Sequence, residues 1–287
     1  MSIGSQPVRI GEFARRVGVA PELLRAWERR YDLLRPVRSP GGFRLYTDDD
    51  AERVSRMRRA LGDGLSAAEA ARAALERGRA SEGLLEDAAE RLLAAIERYD
   101  EAAAHALLDE TLAAFGLEAV LRDVVLPTLK QVGLKWENGT LEISHEHFAS
   151  NLIRGRLLSL SRLWGRGGSP LAVLACAPGE THDLSLLAFG VLLRSHGWRI
   201  LFLGADTPLP TLTQTVKETQ PALTVLTSFK VALLQPEARA LRRLAKAAPL
   251  ALSGPGATDA LCSQLGVRRL DGDLVRAAND VARSTLD

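Results

Sequence analysis

Three groups of side chains in this 287-residue chain have the types and spacing that chemistry requires. The first is Glu180-Thr-His182-Asp183, just after the apolar run LAVLACA. A carboxylate two residues before a histidine can accept a hydrogen bond from one ring nitrogen and fix the tautomer. The other nitrogen is then free to bind a metal. A loop histidine merely satisfied by its neighbour has the same spacing, so both readings stay open. The second group lies in KWENGTLEISHEHFASN, where Trp136 stands ten residues before Glu146-His147. Ile143, Glu146, His147 and Ser150 fall at i, i+3, i+4 and i+7, on one face of a helix. Burying that Glu and His requires something polar against them. Zinc does not fit: His145 and His147 are two apart on different faces, and no His-Glu-x-x-His is present. The third group is a run of arginines in LRAWERRYDLLRPVRSPGGFRLY. Arg25 and Arg29 are four apart on one helical face with Arg30 beside them, and Arg38, Arg44 and Tyr46 follow around a Pro-Gly-Gly turn. Guanidinium forks on a helix suit base edges in a major groove, and a basic turn suits phosphates or a minor groove.

Charge points the same way. The net charge is only +2, but residues 1–80 carry sixteen Arg against eleven acidic residues, while the remainder is mildly acidic. A basic head on an acidic body marks nucleic acid as the first candidate partner. No stretch reaches the length of a membrane helix, the first residues lack an apolar signal core, and Cys176 and Cys262 stand alone. A reduced, cytoplasmic setting is therefore expected.

The elements that must position these groups fall into three expected domains. In 1–78, Ile10, Phe13, Ala14 and Val17 predict a helix ended by Gly18; Pro21 opens a second, with Leu23, Leu24, Trp27 and Tyr31 as its stripe. Together they form a helix-turn-helix. A small hairpin follows, and Thr47 before three aspartates caps another helix. Segment 82–165 is wholly helical. Its stripes run through Leu85, Leu92 and Ile96, through Ala103 and Leu107, through Val120, Val124, Leu129 and Trp136, and over 141–163. Connections at Phe115-Gly116 and Asn138-Gly139, with a kink at Pro127, predict a four-helix bundle. After a linker at 165–170, five apolar runs alternate with helices in 170–287. That is the pattern of a five-stranded doubly wound parallel α/β domain, with ligand at the carboxyl ends of its strands. The fold class is thus multidomain: an all-α winged helix-turn-helix head, a four-helix bundle and a Rossmann-like domain.

The head resembles the MerR-type winged helix-turn-helix at Arg25, Trp27, Glu28, Arg29, Tyr31, Leu34, Pro36, Arg38, Gly42, Arg44, Tyr46 and Asp50. The resemblance implies binding to double-stranded operator DNA through Arg25, Arg29, Arg30, Arg38, Arg44 and Tyr46. No heptad repeat follows, so dimerisation must arise elsewhere in the chain. The loop at Glu180 and His182 resembles the Asp-x-His-x-x-Gly loop of cobalamin-binding domains, with Glu for Asp and with Ser185 in place of Gly. Gly204, Asp206 and Thr207, then Thr227-Ser228, then Ser253-Gly254 and Gly256 match later loops of that domain. The resemblance implies that His182 is the lower axial cobalt ligand, with Glu180 and Asp183 beside it, and that the later loops line the pocket for the cofactor's nucleotide tail.

The spacing of Trp136 to Glu146-His147 resembles the CarH/LitR group of adenosylcobalamin-sensing photoreceptor repressors, and the whole chain follows their domain order. The resemblance implies that Trp136, Ile143, Glu146 and His147 surround the adenosyl group of adenosylcobalamin. A cofactor-bound oligomer, in the family a tetramer, then holds operator DNA in the dark, and photolysis of the cobalt–carbon bond causes disassembly and derepression. No enzymatic activity is implied. Light-sensing members carry histidine after the cap tryptophan, where this chain has Glu137; His145, His147 or water remain for the upper cobalt position in the light. Two other readings stand beside this one. One is a light-independent regulator answering to cobalamin level or a protein partner. The other is a corrinoid methyl carrier, disfavoured by the DNA-binding head.

Overall fold

A computed structural model describes residues 7–39, 41–161, 169–270 and 273–284. The contacts divide the chain into two compact units, Met1–Ala88 and Ala89–Asp287. Most of the expected linker, and the end of the expected fourth bundle helix at Leu163, lie outside the described residues.

The first unit opens with α1 (Ile10–Val17) and α2 (Pro21–Tyr31). Gly18 ends α1 in the left-handed conformation at φ 65°, which glycine adopts without strain, and Pro21 starts α2. Strands β1 (Val37–Arg38) and β2 (Arg44–Leu45) pair antiparallel as the wing. Thr47 and Asp50 form a reciprocal capping box at the start of α3 (Asp48–Gly62). Phe13, Leu24, Trp27, Leu33, Leu34, Tyr46, Val54 and Met57 close a core of their own against the small side chains Ala70, Ala71 and Ala74. Leu23, expected in the apolar stripe, is exposed instead, because it lies 100° round the helix from Leu24 and past the edge of the buried arc. Helix α4 (Ala67–Glu97) runs unbroken through the expected join at 78–82. That stretch contains no proline, and isolated glycines such as Gly78 weaken a helix without ending it.

In the second unit α5 (Glu101–Val120) is interrupted at Gly116, with φ 78° and ψ 172°. A single π turn, 121–125, then leads into α6 (Leu126–Glu137). Pro127 has no N–H to give, and the irregularity expected there appears as this widened turn just before it. Gly139 turns the chain at φ 75° into α7 (Ile143–Leu160). The bundle expected from the stripes is present. After it come β3 (Leu171–Cys176), α8 (Leu184–Ser195), β4 (Arg199–Gly204), α9 (Leu209–Thr219), β5 (Leu223–Thr227), α10 (Val231–Leu234), α11 (Ala238–Ala247), β6 (Leu250–Ser253), α12 (Asp259–Leu265), β7 (Arg268–Leu270) and α13 (Leu274–Ser284). The five strands are all parallel, in the order β4-β3-β5-β6-β7. Helices α9, α11 and α12 cover one face through Leu212, Leu241, Leu244 and Leu261, while α8 packs with α13 and with α7 of the bundle. Among the described residues no helix is long and apolar enough to cross a membrane.

Candidate functional site

Strand order reverses between β3 and β5, and in doubly wound sheets ligands bind at the carboxyl ends of the strands at such a point. The loop after β3 carries Glu180, and the loop after β5 carries Ser228 and Phe229. Glu180 is 1% exposed, yet every one of its bonds is made. Its Oε1 accepts from the His182 backbone N–H at 3.0 Å and from His182 Nδ1 at 2.6 Å. Its Oε2 accepts from the Phe229 N–H at 2.7 Å and from the Ser228 hydroxyl at 3.4 Å. Burial pushes this carboxyl up, but the N–H groups of His182 and Phe229 and the His182 ring outweigh it and hold its pKa below the usual carboxylate value. An ionised carboxylate only accepts, so a proton lies on Nδ1 in this bond, and Nε2 of His182 is the ring nitrogen it leaves free. The His182 side chain is 65% exposed, with the Phe229 ring 5.4 Å from its own. A loop histidine held by its neighbour is therefore what this fold builds, with one nitrogen left over for a ligand.

The loop after β4 locks this arrangement from behind. Asp206 donates its N–H to the Glu180 carbonyl at 2.8 Å and accepts the Gly179 N–H at 2.7 Å. Thr207 donates its N–H to the Cys176 carbonyl and its hydroxyl to that of Gly204. Thr227 and Ser253 join their hydroxyls at 2.5 Å. Gly254 and Gly256, expected to let a ligand approach, are needed by the protein itself. A Cβ on Gly254 would lie 2.4 Å from the Ser228 carbonyl oxygen, and one on Gly256 2.8 Å from those of Ser228 and Lys230. They permit the loop after β6 to lie against the loop after β5. Burial raises the Cys176 thiol to about 12, so this cysteine stays a protonated core side chain.

The expected cap residues lie on α6 and α7 of the bundle. Ser150 donates to Glu146 at 2.6 Å, and His147 Nε2 lies 3.8 Å from the other Glu146 oxygen. Trp136 and Ile143 remain exposed at 44% and 43%. His145 faces elsewhere: its ring stacks on Tyr99, 4.3 Å between centroids, and its Nδ1 meets the Tyr99 hydroxyl at 3.0 Å. Of the two histidines considered for an upper metal position, His147 shares the Glu146 face and His145 does not. Arg154, which sequence reasoning missed, extends the stripe of Ile143, His147 and Ser150 by one turn. Its guanidinium grips Asp183 with two bonds, Nη1 to Oδ2 at 3.0 Å and Nη2 to Oδ1 at 2.5 Å. Asp183 occupies the N-cap position of α8 but makes no capping bond with its side chain, forgoing about 1 kcal/mol of helix stabilisation. The only signal of Arg154 in the sequence is its spacing, eleven residues past Ile143 on the same face.

In the head, Arg25, Arg29 and Arg30 project from α2 and are exposed, as are Arg38 and Arg44 on the wing. Arg38 donates to the Gly42 carbonyl across the turn, and Arg9 lies over the exposed Phe43 ring at 4.3 Å. Tyr46 requires a correction. It is 1% exposed, stacks on Phe13 and donates its hydroxyl to Glu28 at 2.8 Å, so it belongs to the core and is not available to phosphate. Its burial, with the Glu28 carboxylate beside it, raises its pKa well above the ordinary phenol value. The second Glu28 oxygen takes Arg44 Nε at 2.8 Å. One glutamate on α2 thus fixes the wing to the helix that carries the exposed arginines.

Residues 8–76 match the family of MerR HTH family regulatory proteins, and residues 88–160 match a B12 binding domain. The chain is a MerR-type regulator with a B12-binding module. Over 284 residues it is 35% identical to the HTH-type transcriptional repressor CarH of Myxococcus xanthus, covering 92% of this chain and 95% of that one. It is 32% identical over 260 residues to the repressor CarA of the same organism, covering 88% of each. The chain belongs to this CarH and CarA family of transcriptional regulators. The monomethylamine corrinoid protein of Methanosarcina barkeri superposes with a TM-score of 0.58 at 18% identity, over 69% of this chain and 98% of that one, which shows the shared fold of bundle and sheet.

Proposed function

We propose that this protein is a light-responsive transcriptional repressor that uses adenosylcobalamin as its sensor. The observation that carries the reading is the outward Nε2 of His182, held by Glu180 at the switch point of the sheet, in a chain that also carries a DNA-reading head. The donor set fits the cofactor. Among the described residues no group of three or more His, Cys, Asp or Glu is placed to hold a metal ion. One exposed imidazole is what a metal already ringed by a macrocycle needs from a protein.

When bound, adenosylcobalamin supplies a cobalt–carbon bond that light can break. The chain's residues do the rest. His182 would offer Nε2 to cobalt, its Nδ1 proton held in the bond to Glu180. Trp136, Ile143, Glu146 and His147 would hold the adenosyl group, Trp136 and Ile143 being exposed for contact. Gly204, Asp206, Thr207, Thr227, Ser228, Ser253, Gly254 and Gly256 shape the loops that take the nucleotide tail. The filled site favours a tetramer, and several heads then engage operator DNA together through Arg25, Arg29, Arg30, Arg38 and Arg44. Linking heads raises avidity without a new base contact. Loss of the adenosyl contacts withdraws the preference for the oligomer, and the operator is released. Head, bundle and Rossmann-like domain work as reader, cap and cofactor holder, with α4 passing from the first into the second, and none of them performs catalytic turnover.

The test is to mix the full chain with adenosylcobalamin in darkness and follow spectrum, oligomer size and operator binding before and after illumination. Size and affinity that fall together in the light support the reading. Identical dark and light behaviour overturns the light sensor. In that case Glu137, which stands where photoreceptor relatives are expected to carry histidine, favours a regulator answering to cobalamin level alone.

A further inference from the structure

We infer that Arg154 is a positioning residue for the cofactor: its two-pronged grip on Asp183 sets the cap on α7 at a fixed height over the His182 loop. The inference rests on the cobalamin reading above and adds a residue to it. Three observations lead there. Arg154 lies on the stripe of α7 that carries Ile143, His147 and Ser150. Its partner Asp183 is the next residue after His182 and is only 6% exposed, so the bond joins the helix above to the loop below without slack. Asp183 forgoes capping α8 in order to make it.

At 1.5 Å per residue, Glu146 and His147 sit about 11 Å along the helix axis from Arg154. A cofactor ring resting on His182 would meet its upper contacts at a distance set by this strut. A fork that donates two parallel bonds fixes angle as well as distance, which one ammonium cannot do. Contacts made through the cap are therefore more sensitive to Arg154 than contacts made through the lower loop.

The experiment compares two probes on the full-length chain in darkness: adenosylcobalamin, which fills the cap, and hydroxocobalamin, whose small upper group leaves the cap untouched. Arg154→Met and Arg154→Gln each remove the fork, and Arg154→Lys keeps the charge alone. Binding is followed by absorbance, and folding by the melting temperature of the cofactor-free protein. The expected result is a loss of about tenfold or more in affinity for adenosylcobalamin with Met and Gln, since small displacements are costly where several contacts must align. Hydroxocobalamin should change by less than about threefold, and Lys should fall between. Equal losses for both probes, or none, overturn the inference. If Arg154→Met does not fold, Arg154→Gln decides, because it keeps a polar group beside Asp183. Failure of the unaltered chain to bind either cobalamin overturns the cobalamin reading itself and this inference with it.

Discussion

In the head, the carboxylates that organise the fold lie inside, and the arginines proposed to face DNA stand exposed. Asp50, fully buried, takes the Arg35 and Thr47 N–H groups and pairs with Arg53, while Glu28 gathers Tyr46 and Arg44. Arg25, Arg29 and Arg30 belong to neither network. In the second unit the residue offered to a partner hangs from the buried network itself. His182 is held by Glu180, and Glu180 by two further loops. The difference teaches that the two surfaces fail differently. Arg25, Arg29 or Arg30 can be lost without disturbing the fold beneath it. A member of the Glu180 network takes its neighbours' hydrogen bonds with it, and an unpaired buried polar group is expensive.

The contrast breaks most sharply at glycine. Gly254→Ala would drive a Cβ into a carbonyl oxygen from a backbone at φ 82°, and a loss of about 3 kcal/mol or more in unfolding free energy is expected. Gly42→Ala in the wing, at φ 79° with open space around it, should cost only about 1 kcal/mol. Similar losses in chemical denaturation would erase the distinction between the units. Next in size, Glu180→Gln leaves one oxygen for two sets of donors and should cost about 2 kcal/mol.

That substitution also carries a pH signature. The folded pKa of Glu180 lies below its unfolded value, so its stabilisation is complete above the ordinary carboxylate range and is lost as pH falls through the depressed value. The original chain should therefore lose more stability on acidification than Glu180→Gln, as melting curves across that range would show.

Tyr46→Phe comes third, at about 1 kcal/mol, because it deprives Glu28 of one donor but leaves Arg44 in place. It should weaken operator binding only as far as the wing loosens. Smallest in stability is Arg29→Ala, expected within about 0.5 kcal/mol of the parent. In DNA titrations at several salt concentrations it should lower affinity, and it should reduce the salt slope by about 1 if the contact is to phosphate. A large stability loss at Arg29 would mean that the head is built like the body.

Much of the frame was legible in the residues. Gly18 and Pro21 marked the turn of the helix-turn-helix, Gly116 and Gly139 marked the bundle's connections, and the five apolar runs marked the strands. These are local signals, carried by backbone preference and by periodicity within one element. The join expected at 78–82 was misplaced because a change of role along a helix leaves no mark unless something stops the helix. Tyr46 reads as a wing residue from its place two positions after Arg44, whereas its fate is decided by Phe13, thirty-three residues earlier. Gly254 and Gly256 were recognised as sites of close approach, but what approaches them is the chain's own backbone.

The amino-acid order by itself determined the element sequence, the basic head and the pairing of Glu180 with His182, because two residues on one loop must meet. Only the tertiary structure decided the rest of the site. Phe229 reaches Glu180 across 49 residues and Arg154 reaches Asp183 across 29, by way of strand order and helix packing that no local pattern encodes. Parallel strands must be joined by crossovers, so the loops that share a crevice are necessarily far apart along the chain. Their meeting is a property of the folded sheet.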